Sequence, residues 1–318
     1  MTAPPGRPLV DATRATLDKA AAENFPVAPA FLPRAWRTGL TTVYGYARLV
    51  DDIGDGDLAP DGPDAALLGR PDVHTAAGDP TGSDADTAGA RLALLDALEA
   101  DLDRVFEPAG RPLHPLVAAL RPVVAAHHLG PEPFRALIEA NRQDQRVRRY
   151  ETHEDLRAYC ALSADPVGRL VLGLTDTLTP ERVRLSDLIC TALQIVEHLQ
   201  DVAEDLRRDR IYLPAEDLDR FHVTENALAA PTAGASVRAL IAFECARARA
   251  LLNEGTPLVG SVHGRLRLLL AGFVGGGHAA LDAIAAAGFD VLPGAPKPTK
   301  PGLLREVAAV LRSAPRKG

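Results

Sequence analysis

The sequence predicts an all-α protein formed as a single domain. Alanine, leucine and arginine dominate its 318 residues, and this mixture favours helix over strand. The apolar residues follow a helical period over long segments, with neither a useful alternating strand pattern nor an internal repeat. A chain of this length can bury the core of one large domain. We therefore expect one helical domain over residues 1–318, with flexible segments at 1–10 and 56–88.

The helices are expected between stretches that are rich in glycine and proline. Their predicted positions are residues 11–22, 32–50, 90–106, 115–128, 132–148, a short segment from 168, 179–208, 235–253, 264–287 and 302–313. Thr152 is expected to open a further helix through a capping box with Asp155. Thr179 is a strong helix start because Pro180 follows it in the first turn. That helix is expected to run without a break to about Arg208.

Residues 56–88 combine many glycines, prolines and aspartates, which predicts a mobile loop or a surface insertion. The segment directly follows an acidic stretch, where a lid over a site would be useful. A plain surface insertion explains the same composition and is the simpler interpretation.

Charge and cysteine content exclude several functional classes. A net charge of −7 argues against a broad nucleic-acid surface. Cys160, Cys190 and Cys245 are far apart and odd in number, so they form neither a disulfide framework nor a zinc pattern, and we expect a cytoplasmic protein. No secretory signal and no run of about 18 uncharged apolar residues is found. A hydrophobic substrate would still allow peripheral contact with the inner face of a membrane.

The first acidic motif is the segment YGYARLVDDIGD, residues 44–55. On a helix its Tyr44, Arg48, Asp51 and Asp55 share one face, and Asp52 lies on the flank. Carboxylate oxygens are the ligands that Mg²⁺ prefers, and Mg²⁺ commonly bridges a few acids to substrate phosphates. One such motif is a weak signal, because acidic pairs are common on exposed helices.

The second acidic motif is the segment QIVEHLQDVAEDLRRDRIYLP, residues 194–214. It places Glu197, Asp201 and Asp205 at i, i+4 and i+8 of the predicted helix. An amphipathic surface helix would show the same periodicity. Acids at this spacing repel one another, however, unless a cation offsets them. We therefore predict that the two motifs face each other across a helical cavity and hold Mg²⁺ ions against a substrate diphosphate.

Both motifs resemble those of a known family. The first is similar to the first aspartate-rich motif of squalene and phytoene synthases, and the second to their second motif, including the trailing arginine, tyrosine and proline. Three further segments agree with that family: ENFPVAPAFLP, RRYETHEDLRAYCALSADPVGRLVL and GFDVLPGAPKPTKPG. The resemblance covers roughly residues 15–300 and implies a Mg²⁺-dependent isoprenoid synthase, a helical bundle with a central cavity.

Within the family, ENFPVA, RQDQ at residues 142–145 and ADPVGRLVL most resemble the hydroxysqualene synthase branch of bacterial hopanoid biosynthesis. The resemblance implies that presqualene diphosphate loses diphosphate, rearranges as a cation and is captured by water to give hydroxysqualene, without a nicotinamide cofactor. It also implies site residues. The acids that would bind Mg²⁺ or support its ligands are Asp51, Asp52, Asp55, Glu197, Asp201 and Asp205. The residues that would bind or act on the isoprenoid diphosphate are Phe25, Tyr44, Arg48, Gln194, Arg210 and Tyr212.

Two residues depart from the family pattern. Glu197 stands where the family usually has asparagine, and Gln200 stands where condensing members often have arginine. Two alternatives stay open: a condensing enzyme that joins two allylic diphosphates, and a non-catalytic helical assembly factor of the same fold. His198, beside Glu197, is interpreted as structural or solvated, because a lone histidine on a helix flank seldom acts as a base. The sequence does not indicate an oligomeric state.

Overall fold

The computed structural model describes residues 27–58, 62–68 and 84–314, and this part of the chain is all-α, as predicted. Its fifteen helices, in chain order, are α1 Arg34–Gly54, α2 Pro63–Leu67, α3 Asp84–Phe106, α4 Pro115–His127, α5 Glu132–Asp144, α6 His153–Ser163, α7 Asp165–Leu174, α8 Pro180–Gln200, α9 Val202–Arg207, α10 Ala215–Arg220, α11 Glu225–Leu228, α12 Ala235–Gly255, α13 Pro257–Gly260, α14 Gly264–Ala286 and α15 Lys300–Ser313. An isolated bridge between Arg149 and Ile211 is the β pairing found there. The predicted helix at 11–22, the segment 1–10 and Phe25 lie outside the described residues.

The described chain forms two compact units. Unit 1 contains the residues through Arg146 together with Gly173–Asp176, and unit 2 contains Val147–Leu172 together with the chain from Thr177 onward. The first acidic motif belongs to unit 1 and the second to unit 2. The single domain over residues 1–318 and its central cavity stay predictions.

Unit 1 is organised around α1, which packs against α3, α4 and α5. Tyr46 is fully buried and donates a hydrogen bond from its hydroxyl to the carbonyl oxygen of Phe134, 3.0 Å away. The two rings also meet edge to face, with centroids 5.4 Å apart. A buried tyrosine hydroxyl needs such a partner. This contact fixes α1 against α5, and the carboxyl end of α1 carries the first acidic motif.

The segment predicted as a loop at 56–88 is partly helical. Within it, α2 spans Pro63–Leu67, and α3 begins at Asp84 rather than at residue 90. Ala65 and Leu68 are buried, and the Asp64 carboxylate lies 3.1 Å from Nε2 of the buried His114. These contacts outweigh the loop-forming composition. Residues 59–61 and 69–83 lie outside the described part of the chain.

Unit 2 is organised around α8, α12 and α14, which pack against one another, with α15 packed on α14. Helix α14 is, among the described residues, the one helix long and apolar enough to cross a membrane. However, 67% of its most apolar window is buried inside the protein, so α14 is explained as a core helix.

Two predicted helix starts are confirmed in unit 2. Thr152 and Asp155 form the reciprocal capping box at the start of α6. Thr179 caps α8 by accepting a hydrogen bond from the backbone N–H of Arg182, with proline in the first turn.

The prediction of one continuous helix from 179 to 208 is wrong, because α8 ends at Gln200 and α9 begins at Val202. Asp201 lies between them with φ −104° and ψ 12°, which is outside helical geometry. Its carbonyl oxygen accepts hydrogen bonds from the N–H groups of both Glu204 and Asp205, each 2.8 Å long. The three acids of the motif are therefore divided between the end of α8, the break and α9.

Helix α5 ends at Asp144, four residues earlier than predicted. The residues that follow pair instead with a distant segment of the backbone. The N–H of Ile211 donates to the carbonyl oxygen of Arg148, and the N–H of Ala215 donates to that of Tyr150. Periodicity along α5 carries no information about this pairing.

Candidate functional site

The first acidic motif lies at the carboxyl end of α1, where Asp51 and Asp55 are one turn apart. The side chain of Asn141 on α5 donates a hydrogen bond to Asp51 Oδ1 over 3.2 Å. Burial raises the pKa of Asp51 to about 6, and the neighbouring charges of Asp55 and Asp52 add to the rise, whereas the Asn141 hydrogen bond opposes it. Asp51 is nevertheless accessible to solvent, so water reaches a carboxylate that protein surrounds on most sides. A cation at this carboxylate would relieve the repulsion.

Arg48 and Asp52 form an ion pair within α1. Arg48 Nε lies 2.8 Å from Asp52 Oδ1, and its Nη2 lies 3.6 Å from the Asp57 carboxylate. Asp52 is 6% exposed, so its charge is offset by Arg48 rather than by water. The structure therefore places Asp52 as the counter-ion of Arg48, on the flank of the face that carries Asp51 and Asp55.

Two polar residues, Asn141 in α5 and Gln145 directly after it, support this end of α1, and the sequence did not single out their role. Gln145 Nε2 donates to the carbonyl oxygen of Gly54 over 2.9 Å, while Asn141 reaches Asp51. A Cβ at Gly54 would collide with the Asn141 carboxamide, so only glycine allows this close approach. Gln145 belongs to the RQDQ segment that carries the family resemblance, and that segment was the available signal.

The second acidic motif is divided by the helix break. Glu197 is exposed near the end of α8, Asp201 occupies the break, and Asp205 lies in α9. Burial raises the pKa of Asp205 to about 7, with Asp201 adding to the rise and Arg210 opposing it. Asp205 Oδ2 is buried without a hydrogen-bond partner. Such an oxygen is costly unless a ligand satisfies it.

His198 lies at the centre of an aromatic cluster in unit 2. Its ring stacks on Tyr212 with centroids 3.7 Å apart, and Tyr212 also stacks on Tyr150 at 5.7 Å. Gln194 Nε2 lies 3.2 Å from His198 Nε2, and His198 Nδ1 lies 3.9 Å from Asp205 Oδ2. Burial lowers the pKa of His198 to about 3, and the charge of Arg210 adds to this, so the ring is neutral. Of the two interpretations given for His198, structural or solvated, the packing fits the structural one, and the sequence did not indicate its contacts with Tyr212, Gln194 and Asp205.

A small pocket opens beside this cluster. It is lined by His198, Val202, Asp205, Arg210, Tyr212 and their neighbours Ile211 and Leu213. Its walls thus combine an acid, an arginine and aromatic faces within one unit. The space is small, with room for about one water molecule, so the pocket brings these groups together without enclosing a substrate.

Gln200, one of the two departures from the family pattern, is engaged with the backbone. Its Nε2 donates to the carbonyl oxygen of Pro296 over 2.6 Å. This contact joins the end of α8 to the proline-rich segment before α15. Burial raises the pKa of Asp201, with Glu204 adding to the rise, and the nearby charge of Lys297 opposes it.

Within residues 27–58, 62–68 and 84–314, no three His, Cys, Asp or Glu side chains converge as a metal site. The donor chemistry nevertheless fits a hard divalent cation, because both motifs offer carboxylate oxygens with raised pKa values. The buried, unpartnered Asp205 Oδ2 is the feature that a cation would satisfy directly.

Comparison with known proteins identifies the family. The model of the squalene/phytoene synthase family matches residues 18–302. The chain belongs to the squalene/phytoene synthase family. The members of this family are isoprenoid synthases that act on diphosphates, and their fold is all-α.

The relatives within the squalene/phytoene synthase family divide between two activities. A 15-cis-phytoene synthase of Synechococcus elongatus is 31% identical over 72% of this chain and 68% of its own length. A hydroxysqualene synthase of Zymomonas mobilis is 29% identical over 76% of this chain and 71% of its own length. The crystal structure of squalene synthase HpnC from Alicyclobacillus acidocaldarius is 42% identical, with a TM-score of 0.72 over 88% of this chain and 94% of that protein.

Proposed function

We propose that this member of the squalene/phytoene synthase family is a hydroxysqualene synthase. In the proposed reaction, the C–O bond of presqualene diphosphate breaks and diphosphate leaves with the electron pair. The cyclopropylcarbinyl cation rearranges, water forms the new C–O bond, and a proton is released. The similarity to the hydroxysqualene synthase of Zymomonas mobilis supports this reaction class.

The observation that carries the proposal is the state of Gln200. The family resemblance implies that condensing members often have arginine at this position, and such a cation would help to hold a second diphosphate. Here the residue is neutral, and its amide is bound to the carbonyl oxygen of Pro296. An enzyme that acts on a single presqualene diphosphate has less need of a cation at this position than one that joins two farnesyl diphosphates. A neutral, tethered side chain therefore favours the one-diphosphate reaction.

Mg²⁺ would be held by carboxylates of both motifs. The candidate ligands are Asp51, Asp55, Glu197, Asp201 and Asp205, with Asp52 in the same cluster. A divalent cation would neutralise the charge that develops on the departing diphosphate. Asp205 Oδ2 supports its inclusion, because this buried oxygen otherwise lacks a partner.

The remaining site residues have proposed roles in binding and orientation. Arg48 and Arg210 would contact diphosphate oxygens, and Arg210 already lies beside Asp205 in the small pocket. Tyr212, held in place by its stacking on His198, would line the reacting region. Tyr44 and Gln194 would line the reacting region, and Phe25 would contact the isoprenoid chain. We further propose that the enzyme acts in the cytoplasm, with peripheral contact to the membrane that holds its hydrophobic substrate.

The test is incubation of the purified protein with Mg²⁺ and either presqualene diphosphate or farnesyl diphosphate, followed by product identification. Hydroxysqualene formed from presqualene diphosphate, with farnesyl diphosphate inert, is the expected result. Consumption of farnesyl diphosphate with presqualene diphosphate left unreacted would refute the proposal. Excess chelator should abolish turnover, and added Mg²⁺ should restore it.

The second candidate function is a condensing prenyltransferase that forms presqualene diphosphate, squalene or phytoene. The charge of Lys297 beside Asp201 favours it, because a cation there could hold another phosphate. Lys297→Gln tests this: a condensing enzyme would lose affinity for its second allylic diphosphate. A non-catalytic assembly factor is disfavoured because both acidic motifs are retained. Unchanged product formation in Asp51→Asn or Asp201→Asn would count against these carboxylates as Mg²⁺ ligands.

A further inference from the structure

The segment that carries Arg210 and Tyr212 is held by a strap, which we define as residues 148–151. The N–H of Ile211 donates to the carbonyl oxygen of Arg148 over 2.9 Å, and the N–H of Glu216 donates to that of Glu151 over 3.0 Å. Tyr150, in the middle of the strap, stacks on Tyr212. The strap therefore fixes the backbone on both sides of Tyr212.

Within the strap, the guanidinium of Arg149 clasps the turn that precedes Arg210. Its Nη1 donates to the backbone carbonyl oxygen of Asp209 over 2.6 Å, and its Nη2 lies 2.8 Å from the Asp209 carboxylate. Its Nε donates to Glu225 at the start of α11 over 2.8 Å. One planar side chain thus ties three stretches of chain together, as the fork geometry of arginine allows.

The turn at Asp209 needs such support. Asp209 has φ 57°, in the left-handed region that non-glycine residues rarely adopt. The next residue, Arg210, lines the small pocket with Asp205, and its backbone N–H donates to the Asp205 carbonyl oxygen over 2.9 Å. A change at Asp209 would therefore move the Arg210 guanidinium relative to the acid beside it.

We propose that Arg149 is a positioning residue for diphosphate binding, which it serves by holding the Asp209 turn so that Arg210 faces the anion. This inference rests on the proposed function, because it takes Arg210 as a diphosphate ligand. The guanidinium of Arg149 donates its hydrogen bonds to Asp209, to Glu225 and to the carbonyl oxygen of Arg148. It therefore acts through Arg210 and not by direct contact with the substrate.

Unit 2 contains a second arginine clasp, formed by Arg238 outside the second acidic motif, that can serve as a control for the clasp of Arg149. Arg238 donates to the carbonyl oxygens of Ala233 and Gly288 and to the Asp290 carboxylate, at 2.8, 2.6 and 2.7 Å. Gly288 also has positive φ, 65°. The side chains are similarly exposed, 32% for Arg149 and 37% for Arg238. Loss of either clasp should cost similar stability, but of these two arginines only Arg149 holds the turn before Arg210, which Arg148 also supports through its Nη1, 2.8 Å from Asp209 Oδ2.

The experiment measures binding of inorganic diphosphate in the presence of Mg²⁺ by calorimetry, with thermal unfolding recorded for each variant. We expect Arg149→Gln to weaken binding about tenfold or more, since misplacement of a binding group by about 1 Å has effects of this order. Arg238→Gln should bind as the wild type does, with a comparable shift in Tm. In the double variant Arg149→Gln, Arg210→Gln, binding should be no weaker than in Arg210→Gln alone, because a residue that acts through Arg210 adds nothing once it is gone.

Each outcome decides one question. Wild-type protein that does not bind diphosphate overturns both the proposed function and this inference. Wild-type binding with Arg149→Gln within twofold of it overturns the inference alone. Equal weakening in Arg149→Gln and Arg238→Gln would show general destabilisation and also overturn it. If Arg149→Gln does not fold, Glu225→Gln removes one partner of the clasp, and binding about threefold weaker is expected.

Discussion

The imidazole of His198 stacks on the phenol ring of Tyr212, with centroids 3.7 Å apart and planes 11° from parallel. The two residues come from different elements: His198 from the end of α8 and Tyr212 from the segment after α9. The stack therefore joins the two halves of the second acidic motif. Because burial keeps the histidine neutral, the contact does not depend on its charge near neutral pH.

His198→Ala should lower the free energy of unfolding by about 2–3 kcal/mol, because it removes a stacked ring and leaves a cavity beside Tyr212. Denaturant unfolding followed by circular dichroism measures the change. His198→Phe is the matched control: it keeps the ring but removes the partner of Gln194. It should recover most of the stability, and a loss as large as that of the alanine variant would contradict the stacking argument.

Asp205→Asn should stabilise the fold while removing activity. The folded-state pKa of Asp205 is raised to about 7, so its charge costs stability at pH values above this. The amide removes that charge, and we expect the unfolding free energy at pH 8 to rise by about 1 kcal/mol. Product formation should fall at least about 100-fold if the carboxylate holds Mg²⁺.

Asp187→Asn provides the comparison for Asp205, because the Asp187 carboxylate is paired with Arg169 at 2.8 Å. This substitution should lower stability by about 0.5–1 kcal/mol and leave turnover unchanged. A loss of stability in Asp205→Asn as well would show that its carboxylate is satisfied within the protein.

Gly54→Ala should destabilise unit 1 by about 1–3 kcal/mol, because the new methyl group would collide with the Asn141 carboxamide. Displacement of Asn141 would also remove its hydrogen bond to Asp51, so turnover should fall. The control is Gly272→Ala in α14, where nothing lies within 4 Å of the new Cβ. It should stabilise the protein by about 0.5–1 kcal/mol. Thermal unfolding and an activity assay on both variants test the pair.

The buried carboxyl group of Glu244 should make the free energy of unfolding depend measurably on pH. It is 1% exposed, and burial raises its pKa, aided by a hydrogen bond with Asp217 and opposed by Arg247. The unfolded chain releases this proton near its ordinary pKa of 4.5, whereas the folded protein retains it to higher pH. Stability is therefore lost as pH rises above about 4.5, until Glu244 also ionises in the folded protein.

Glu244→Gln should remove this loss, so the unfolding free energy should fall less steeply between about pH 5 and about pH 8 than in the wild type. Denaturant midpoints at several pH values measure the two curves. Glu254→Gln on the same helix is the control, because Glu254 is 59% exposed and its pair with Arg184 is screened by water. Parallel curves for wild type and Glu244→Gln would refute the assignment.

Local signals made much of the fold predictable. The caps at Thr152 and Thr179 and the acidic stripe on α1 are encoded within a few residues, and each was found from the sequence. The break at Asp201 was not predictable in this way, because the apolar period continues through it. It coincides with contacts to distant chain: Gln200 to Pro296, and the strap to the residues after α9.

In the candidate site, too, locally encoded features could be predicted from the sequence, whereas features that depend on distant contacts could not. The acids of both motifs are proposed from spacing and family resemblance, and Arg210 from the resemblance alone. The residues that hold them were not: Asn141 reaches Asp51 across 90 positions of sequence, and Arg149 reaches Asp209 across 60. A hydrogen bond between residues so far apart in the chain produces no repeating pattern in the sequence from which it could be predicted. The role of His198 was hidden for the same reason, since its aromatic neighbours come from separate segments.

The interruption at Asp201 also makes the second motif suitable for redesign. Helix α8 can keep its register in the core of unit 2 whatever follows residue 201, because the helical hydrogen bonding starts anew at α9. Residues 201–216 thus form a segment that could be exchanged as a whole. It begins at the helix break and ends at the hydrogen bond from the Glu216 N–H to the Glu151 carbonyl oxygen of the strap. Grafting this segment between relatives would transfer Asp205, Arg210 and Tyr212 together with the buried side chains of Val202, Ile211 and Leu213 that anchor the segment in the core.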